Sequence, residues 1–304
     1  MITRDLDRFL SIAGGIQPDF GPAWPRAAFL VSPEGFSPGA DSALDNRYMA
    51  DGATPQRALD QHRELHRALS AELPVICFAG DPATPEAVFA NNVFATARID
   101  GAGRLLIARM HHPSRRAEAE RADIRRFFGT VLGYTEHDLR AGTGVGELTG
   151  SLVIDRARGL GFCGLSARCD EAGARAMHSA FGLRATLMFD LAEGEYHTNV
   201  VLAALADRAV MLAGDGFANP AVADAIAGLF PHAIRLSATE RMAFAGNAIA
   251  LGPTRVWLSA TAAKVLSATS RSGLGRAGFA VVSVALDEIE RAGGSLRCCV
   301  TEIF

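Results

Sequence analysis

Short apolar runs alternate along this chain with longer stretches in which apolar residues return every three or four positions. The first pattern predicts buried strands and the second amphipathic helices. Ala27–Val31 is the first clear run, closed by Ser32-Pro33 and a polar loop reaching about Ala53. Thr54-Pro55-Gln56 then opens a helix: a cap residue, proline at the first position, and Ala58, Leu65 and Leu69 on one face. Val75–Phe78 reads as a strand. Ala87–Ala97 and Leu105–Met110 read as a strand pair around the turn Asp100–Gly103, and Ser114–Phe128 as a charged amphipathic helix. The first 26 residues are broken by glycine and proline and predict an irregular lead-in.

The alternation then recurs. Strands are expected at Ser151–Asp155, Gly161–Leu165, Ala185–Phe189, Asn199–Ala204, Ala209–Leu212, Ala248–Leu251, Arg255–Leu258, Phe279–Val284 and Cys298–Ile303. Helices are expected at Asp170–Phe181, Pro220–Leu229 and Ala260–Ala268. Strand pairs followed by a helix and a further strand return about every 50 residues, which matches a closed ring of βαβ-like blades. A doubly wound sheet would alternate single strands with helices instead. No composition break marks a second domain, so residues 27–304 are expected to form one.

Composition narrows the function classes. With 49% hydrophobic and 21% charged residues the chain is an ordinary globular one. A net charge of −3 gives no basic surface for nucleic acid or anionic lipid. No apolar stretch approaches the roughly 18 residues of a membrane helix, and the N-terminus lacks a signal peptide's order, so a cytoplasmic location is expected. Symmetric dimers are the commonest soluble oligomers, and a homodimer is the expectation here.

Several apparent motifs fall away on inspection. Gly273–Gly278 spells a dinucleotide fingerprint but follows a helix and leads into a strand, the reverse of the required order, and reads as a flexible loop. Gly142–Gly146 lacks the Lys-Ser/Thr of a phosphate loop, and no G-x-S-x-G elbow is present. Cys163 and Cys169 are too far apart for a zinc knuckle, and His111-His112 has no matched second pair. No metal and no cofactor are expected.

What remains is a scattered nucleophilic set. Gly293-Gly-Ser-Leu-Arg-Cys298 is a glycine-rich loop delivering a cysteine to the start of the last strand, with Arg297 placed to favour a thiolate. Tyr196-His197-Thr198-Asn199 puts a histidine at an element boundary, and Glu147 ends the glycine loop. Five cysteines and eight histidines allow many accidental combinations, so these residues alone leave the chemistry open.

Taken in order, Thr84–Thr96, Pro113–Glu118, Glu147–Asp155, Leu165–Glu171, Tyr196–Val200, Phe244–Asn247 and Gly293–Cys298 resemble the amidinotransferase-like branch of the guanidine-modifying (pentein) superfamily. That branch includes citrulline ureidases, and its relatives include arginine deiminases and arginine dihydrolases. The resemblance runs from about Ala27 to the C-terminus. It implies a five-bladed α/β propeller with Cys298 as nucleophile, His197 as general acid/base, and Glu147 holding the guanidinium and orienting the histidine. Arg115 and Arg168 resemble the arginines that pair with a substrate α-carboxylate, and Asn46 a site asparagine near the first blade. Arginine deiminases carry aspartates where this chain has Asn92 and Asn199. A neutral amide both donates and accepts, so it suits a guanidinium or a neutral ureido group. In related dihydrolases asparagine at this place accompanies removal of both terminal nitrogens.

The bland readings are strand-end amides for Asn92 and Asn199, a solvated helix face for Arg115 and Arg116, and an exposed loop charge for Glu147. The functional expectation is a cysteine-dependent hydrolase acting on the guanidino or ureido group of arginine, citrulline or a derivative. Two alternatives stand beside it: amidino transfer to an amine, and a catalytically silent binder of arginine-like ligands.

Overall fold

In the computed structural model, which describes residues 1–304, the chain forms five separate sheets built from similar parts. Three share one order: a strand, an antiparallel partner, a helical excursion, and a third strand parallel to the second. They are Phe94–Ile99, Ala102–Ile107 and Thr135–Asp138; Leu152–Asp155, Leu160–Leu165 and Ala185–Asp190; and Leu202–Leu205, Ala209–Leu212 and His232–Arg235. In the next sheet Arg255–Ser259 pairs in parallel with Ala280–Val284, and the leading strand shrinks to one bridge, Ile249 to Trp257. The remaining sheet joins the two ends of the chain. Thr301–Ile303 runs antiparallel to Ala27–Val31, which pairs in parallel with Val75–Phe78. A parallel return needs a crossover of a dozen or more residues, and the helices supply it.

Helix Pro55–Ser70 shows why these sequences fold as they do. Proline occupies its first turn, where no intrahelical N–H is needed, and Ala58, Leu65 and Leu69 are wholly buried. Burying each leucine stabilises the fold by about 1.5–3 kcal/mol. No helix in the chain is long and apolar enough to cross a membrane.

Several expectations need correcting. The first 26 residues are irregular only from Gly14 on: Ile2–Thr3 adds a parallel strand beside Ala185–Asp190, and Leu6–Ala13 is a helix. Asp5 caps that helix by accepting from the Arg8 N–H at 3.0 Å, and Phe9 and Ala13 anchor it in the core. Ser114–Phe128 is not one amphipathic helix. It breaks into short pieces because Arg121 leaves helical geometry (φ −56°, ψ 91°), its guanidinium meeting Asp123 and the Ala79 carbonyl. Gly273–Gly278 is not a loop, since all but its last two residues lie in helix Ala268–Arg276, which Ser267 caps.

The correction that matters most concerns strand starts. Asn91-Asn92, Asn199 and Cys298, expected in strands, lie on short helical turns just before them: Ala87–Asn92, Thr198–Val201 and Leu296–Cys299. Leu148–Ser151 is a fourth such turn. Phe244–Asn247 is a hydrogen-bonded turn in the fifth position, and the expected strand Ala248–Leu251 keeps only the single bridge. A four-residue apolar run carries no periodicity that separates a helical turn from a strand.

Candidate functional site

Hydrogen bonds link these five turns in a ring. Thr149 Oγ donates to the Asn91 carbonyl (3.2 Å), and Asn91 Oδ1 accepts from Arg297 Nη1 (2.9 Å). The Arg297 N–H donates to Asn247 Oδ1 (2.9 Å), and Asn247 Nδ2 donates to the Asn199 carbonyl (2.9 Å). Asn199 Nδ2 closes the circuit on the Thr149 carbonyl at 3.1 Å. Asn199 therefore spends its amide on backbone.

Cys298 sits on this ring with 1% of its surface exposed. Asn247 Nδ2 lies 3.3 Å from its sulfur and Asn199 Oδ1 lies 3.8 Å away. Burial pushes the thiol up from its ordinary value, although the Ser295 backbone N–H, Asn247 and the Arg297 charge pull the other way. The thiol is therefore largely protonated at neutral pH. The thiolate is the nucleophile, so alkylation by neutral iodoacetamide is expected to be slow at pH 7. It should climb about tenfold per pH unit until pH exceeds 9. Rates of Cys298 labelling followed by mass spectrometry check this, and a plateau near pH 7 would contradict it.

His197 caps the turn Thr198–Val201 and is fully buried; its Nε2 lies 2.8 Å from Glu147 Oε2. Burial alone would raise Glu147, but the bond from His197 and the Arg168 charge hold it down at about 2. It is an acceptor-only carboxylate at neutral pH. Burial lowers His197, which is accordingly neutral, with the Nε2 proton donated to Glu147. Its Nδ1 is left with a bare lone pair and no partner. Asn92 Oδ1 is likewise buried and unpartnered. A Cβ on Gly150 would stand 2.7 Å from Asn92 Oδ1 and 2.9 Å from His197 Nδ1, so both orphan atoms border the space beside this glycine. Leu148 holds a left-handed backbone (φ 33°) beside Glu147, and Phe244 does so (φ 63°) in the turn bearing Asn247. Such conformations in non-glycine residues cost roughly 1–3 kcal/mol each and persist where surrounding structure enforces them.

Asn46, Asn92, Arg115 and Arg168 line one narrow cavity, with Tyr196 and Gly293 on its wall. Asn46 Nδ2 donates to the Gly293 carbonyl at 3.2 Å, and Tyr196 OH donates to the same oxygen. Gly293 has φ 78°, and a side chain there would collide with Asn46. Arg115 is not on a solvated face. It is 2% exposed and forked onto Glu118 at 2.9 and 2.7 Å. Burial, with Glu86 and Glu147 nearby, pushes Glu118 up to about 7 despite this arginine. Arg168 stacks over Tyr196 at 4.9 Å and grips Asp45 through Nε (3.1 Å) and Nη2 (2.6 Å). Each arginine thus already carries a protein carboxylate. A second cavity touches Asn199 and Arg297, and neither cavity is lined by Cys298, His197 or Glu147.

Asn247, Asp45 and Gly150 were not singled out from sequence. Asn247 had a usable signal: it stands 48 residues after Asn199 and 51 before Cys298, the spacing of the repeat itself.

Comparisons with known proteins identify the family and the fold. A family model described as eukaryotic N,N dimethylarginine dimethylhydrolase matches residues 32–304. The N(G),N(G)-dimethylarginine dimethylaminohydrolase of Mycobacterium tuberculosis (strain ATCC 25618 / H37Rv) is 30% identical over 159 residues, covering 52% of this chain and 50% of that protein. The chain thus spans about half the length of this curated relative. Among solved structures, the N-terminal domain of ArgZ, a cyanobacterial arginine dihydrolase, with substrate bound, superposes with a TM-score of 0.77 at 18% identity. That match covers 91% of this chain and 97% of the other. A dimethylarginine dimethylaminohydrolase adduct with S-methyl-L-thiocitrulline gives 0.68 at 21% identity over 92% and 100% of the two chains. At these identities the structural likeness speaks to fold alone: a single mixed α/β domain.

Proposed function

Because the chain belongs to the N,N-dimethylarginine dimethylhydrolase family, within the guanidine-modifying pentein superfamily, we propose that it hydrolyses the cationic guanidino group of arginine or a methylated arginine through a covalent adduct on Cys298. The observation that carries this reading is that a buried thiol and a carboxylate-oriented neutral histidine stand at turns of one hydrogen-bonded ring, with the orphan Nδ1 of that histidine near the orphan Oδ1 of Asn92, a residue that lines a narrow cavity.

The substrate class follows from charge. Glu86 lines the cavity, and Asp45, Glu118 and Glu147 stand against the two arginines that line it, so four acidic groups face Arg115 and Arg168. With Glu118 partly protonated, the excess is one to two negative charges. Arginine or a methylated arginine brings a net charge of +1, its guanidinium and α-ammonium outweighing its α-carboxylate, and offsets at least half of that excess. A neutral ureido group leaves it uncompensated, which disfavours citrulline.

In the mechanism we infer, the guanidinium settles against Glu147 and Asn92, and its positive charge lowers the neighbouring thiol. The Cys298 proton passes to His197 and on to the departing amine, while sulfur bonds to the central carbon. His197 then takes a proton from the water that attacks the adduct, and the C–S bond breaks. Asn247 holds the sulfur in line from the ring. Arg115 and Arg168 donate to the substrate carboxylate as well as to Glu118 and Asp45, and Asn46 positions the cavity wall through Gly293. We further propose that the five sheets close as a five-bladed propeller, a reading supported by the ring of turns and by the sheet joining the chain ends.

The test is parallel incubation with Nω,Nω-dimethylarginine, arginine and citrulline, quantifying dimethylamine, ammonia, citrulline and ornithine. Turnover of a guanidino substrate and not of citrulline is expected. Dimethylamine with citrulline identifies a dimethylarginine hydrolase; ornithine with two ammonia per arginine identifies a dihydrolase. Hydrolysis of citrulline alone would overturn the charge argument. Tight binding of all three without turnover would overturn the enzyme.

A further inference from the structure

We propose that Asp45, His111 and His112 form a binding site for a borderline divalent transition-metal ion, zinc(II) in the first instance, next to the candidate active site. Their donor atoms all lie within 4.8 Å of one another. His112 Nε2 stands 3.1 Å from Asp45 Oδ1. Two ligands about 2.05 Å from a tetrahedral zinc stand about 3.3 Å apart, so this edge of the site is already at ligating separation.

The arrangement is not what a local chain produces by default. Adjacent residues in extended backbone send their side chains to opposite faces. Here both imidazoles turn toward one carboxylate, edge to face, with ring centroids 4.6 Å apart. The backbone is pinned on both sides of His111: its N–H donates to Glu147 Oε1 (3.2 Å), and its carbonyl accepts from Arg116 Nη2 (2.9 Å). Pro113 then starts a helical turn. An ordinary hydrogen bond accounts for His112 and Asp45. It leaves unexplained the half-buried His111 ring, which makes no side-chain hydrogen bond yet reaches the same point.

Charge and donor chemistry agree. Asp41 and Asp45 carry two negative charges at this corner, and Glu147 behind His111 a third, with the arginines Arg116 and Arg168 adjoining them. A dication taking Asp45 Oδ1 displaces the Arg168 Nη2 contact on that oxygen (2.6 Å), leaves Oδ2 to Arg168 Nε, 3.1 Å away, and draws His111 inward by side-chain rotation. Two imidazoles and a carboxylate favour zinc, cobalt or nickel over magnesium or calcium, and three protein ligands leave a fourth position for water.

The experiment uses chelator-treated Cys298→Ser protein, so that the catalytic thiol cannot act as a competing ligand, titrated calorimetrically with zinc sulfate in the absence of substrate. One saturable ion per chain is expected, with no response to magnesium. His111→Ala in the same background should weaken zinc binding by at least ~100-fold, the upper end of what losing even an outer-shell partner costs. His111→Cys should retain the ion and, with cobalt(II) as probe, acquire a thiolate charge-transfer band. Absence of saturable zinc binding would overturn the proposal, as would equal affinity in His111→Ala or a His111→Cys protein whose cobalt spectrum lacks that band. Because no substrate is present, these outcomes are read independently of whether the chain hydrolyses a guanidine.

Discussion

Replacing Cys298 by alanine is expected to lower turnover of the guanidino substrate by at least ~10⁴-fold, in the range seen when a covalent nucleophile is removed from a site whose other groups remain. The expectation rests on position. The sulfur lies 3.3 Å from Asn247 Nδ2 on a turn that joins the ring, and the orphan atoms of His197 and Asn92 border the space beside Gly150. Alanine removes one atom from a buried spot and leaves the ring intact, because its bonds run through Arg297, Asn247, Asn199, Thr149 and Asn91. Substrate affinity should therefore survive while turnover and the mass-shifted adduct both disappear. Cys299 is the internal control. It is equally buried, but its sulfur points to the Ser295 carbonyl at 3.5 Å, so Cys299→Ala should keep activity. Full activity in Cys298→Ala, or its loss only in Cys299→Ala, would remove the covalent mechanism.

The contrast between these two neighbouring cysteines also shows what the chain makes legible. Strand–strand–helix–strand recurrence is written in the placement of apolar runs, and the boundaries of Ala27–Val31, Val75–Phe78 and Ala209–Leu212 follow directly from it. The helical turns are not written that way. Leu296–Cys299 and Thr198–Val201 are too short to show a 3.6-residue period, and their apolar members pass for strand residues. Buried charge is equally hidden. The run Ser114–Arg116 looks solvated because arginines and glutamates usually are, and only tertiary structure reveals that Arg115 and Glu118 are buried together. The residues facing the site are nevertheless periodic. Glu147 and His197 are 50 residues apart, Asn199 and Asn247 are 48 apart, and Asn247 and Cys298 are 51 apart. Each stands at the same place in successive repeats, just ahead of the strand or bridge that leads each sheet, so the repeat that builds the fold also gathers the chemistry.

That geometry makes Gly150 the most sensitive position that carries no functional group. Gly150→Ala is expected to reduce kcat/KM by about 10³-fold, combining loss of a correctly placed acid/base with the penalty of roughly 10² that a misplacement near 1 Å brings. The new Cβ would stand 2.7 Å from Asn92 Oδ1 and 2.8 and 2.9 Å from His197 Cε1 and Nδ1, closer than real Cβ contacts allow. Neither neighbour can retreat freely. His197 is fully buried and tied to Glu147 at 2.8 Å, and Asn92 is 3% exposed at the end of its turn. The backbone, by contrast, accepts the change: Gly150 lies in a helical turn without positive φ, where alanine reduces the unfolded chain's freedom and favours folding. The loss should therefore appear mainly in kcat, in a protein that still unfolds cooperatively and whose Cys298 is still alkylated. Gly129→Ala, where an added Cβ meets nothing within 4 Å, supplies the control and should leave kinetics unchanged. If Gly150→Ala instead turns over at the wild-type rate, the space between Asn92 and His197 is not where the guanidine reacts, and the assignment of His197 as the proton carrier falls with it.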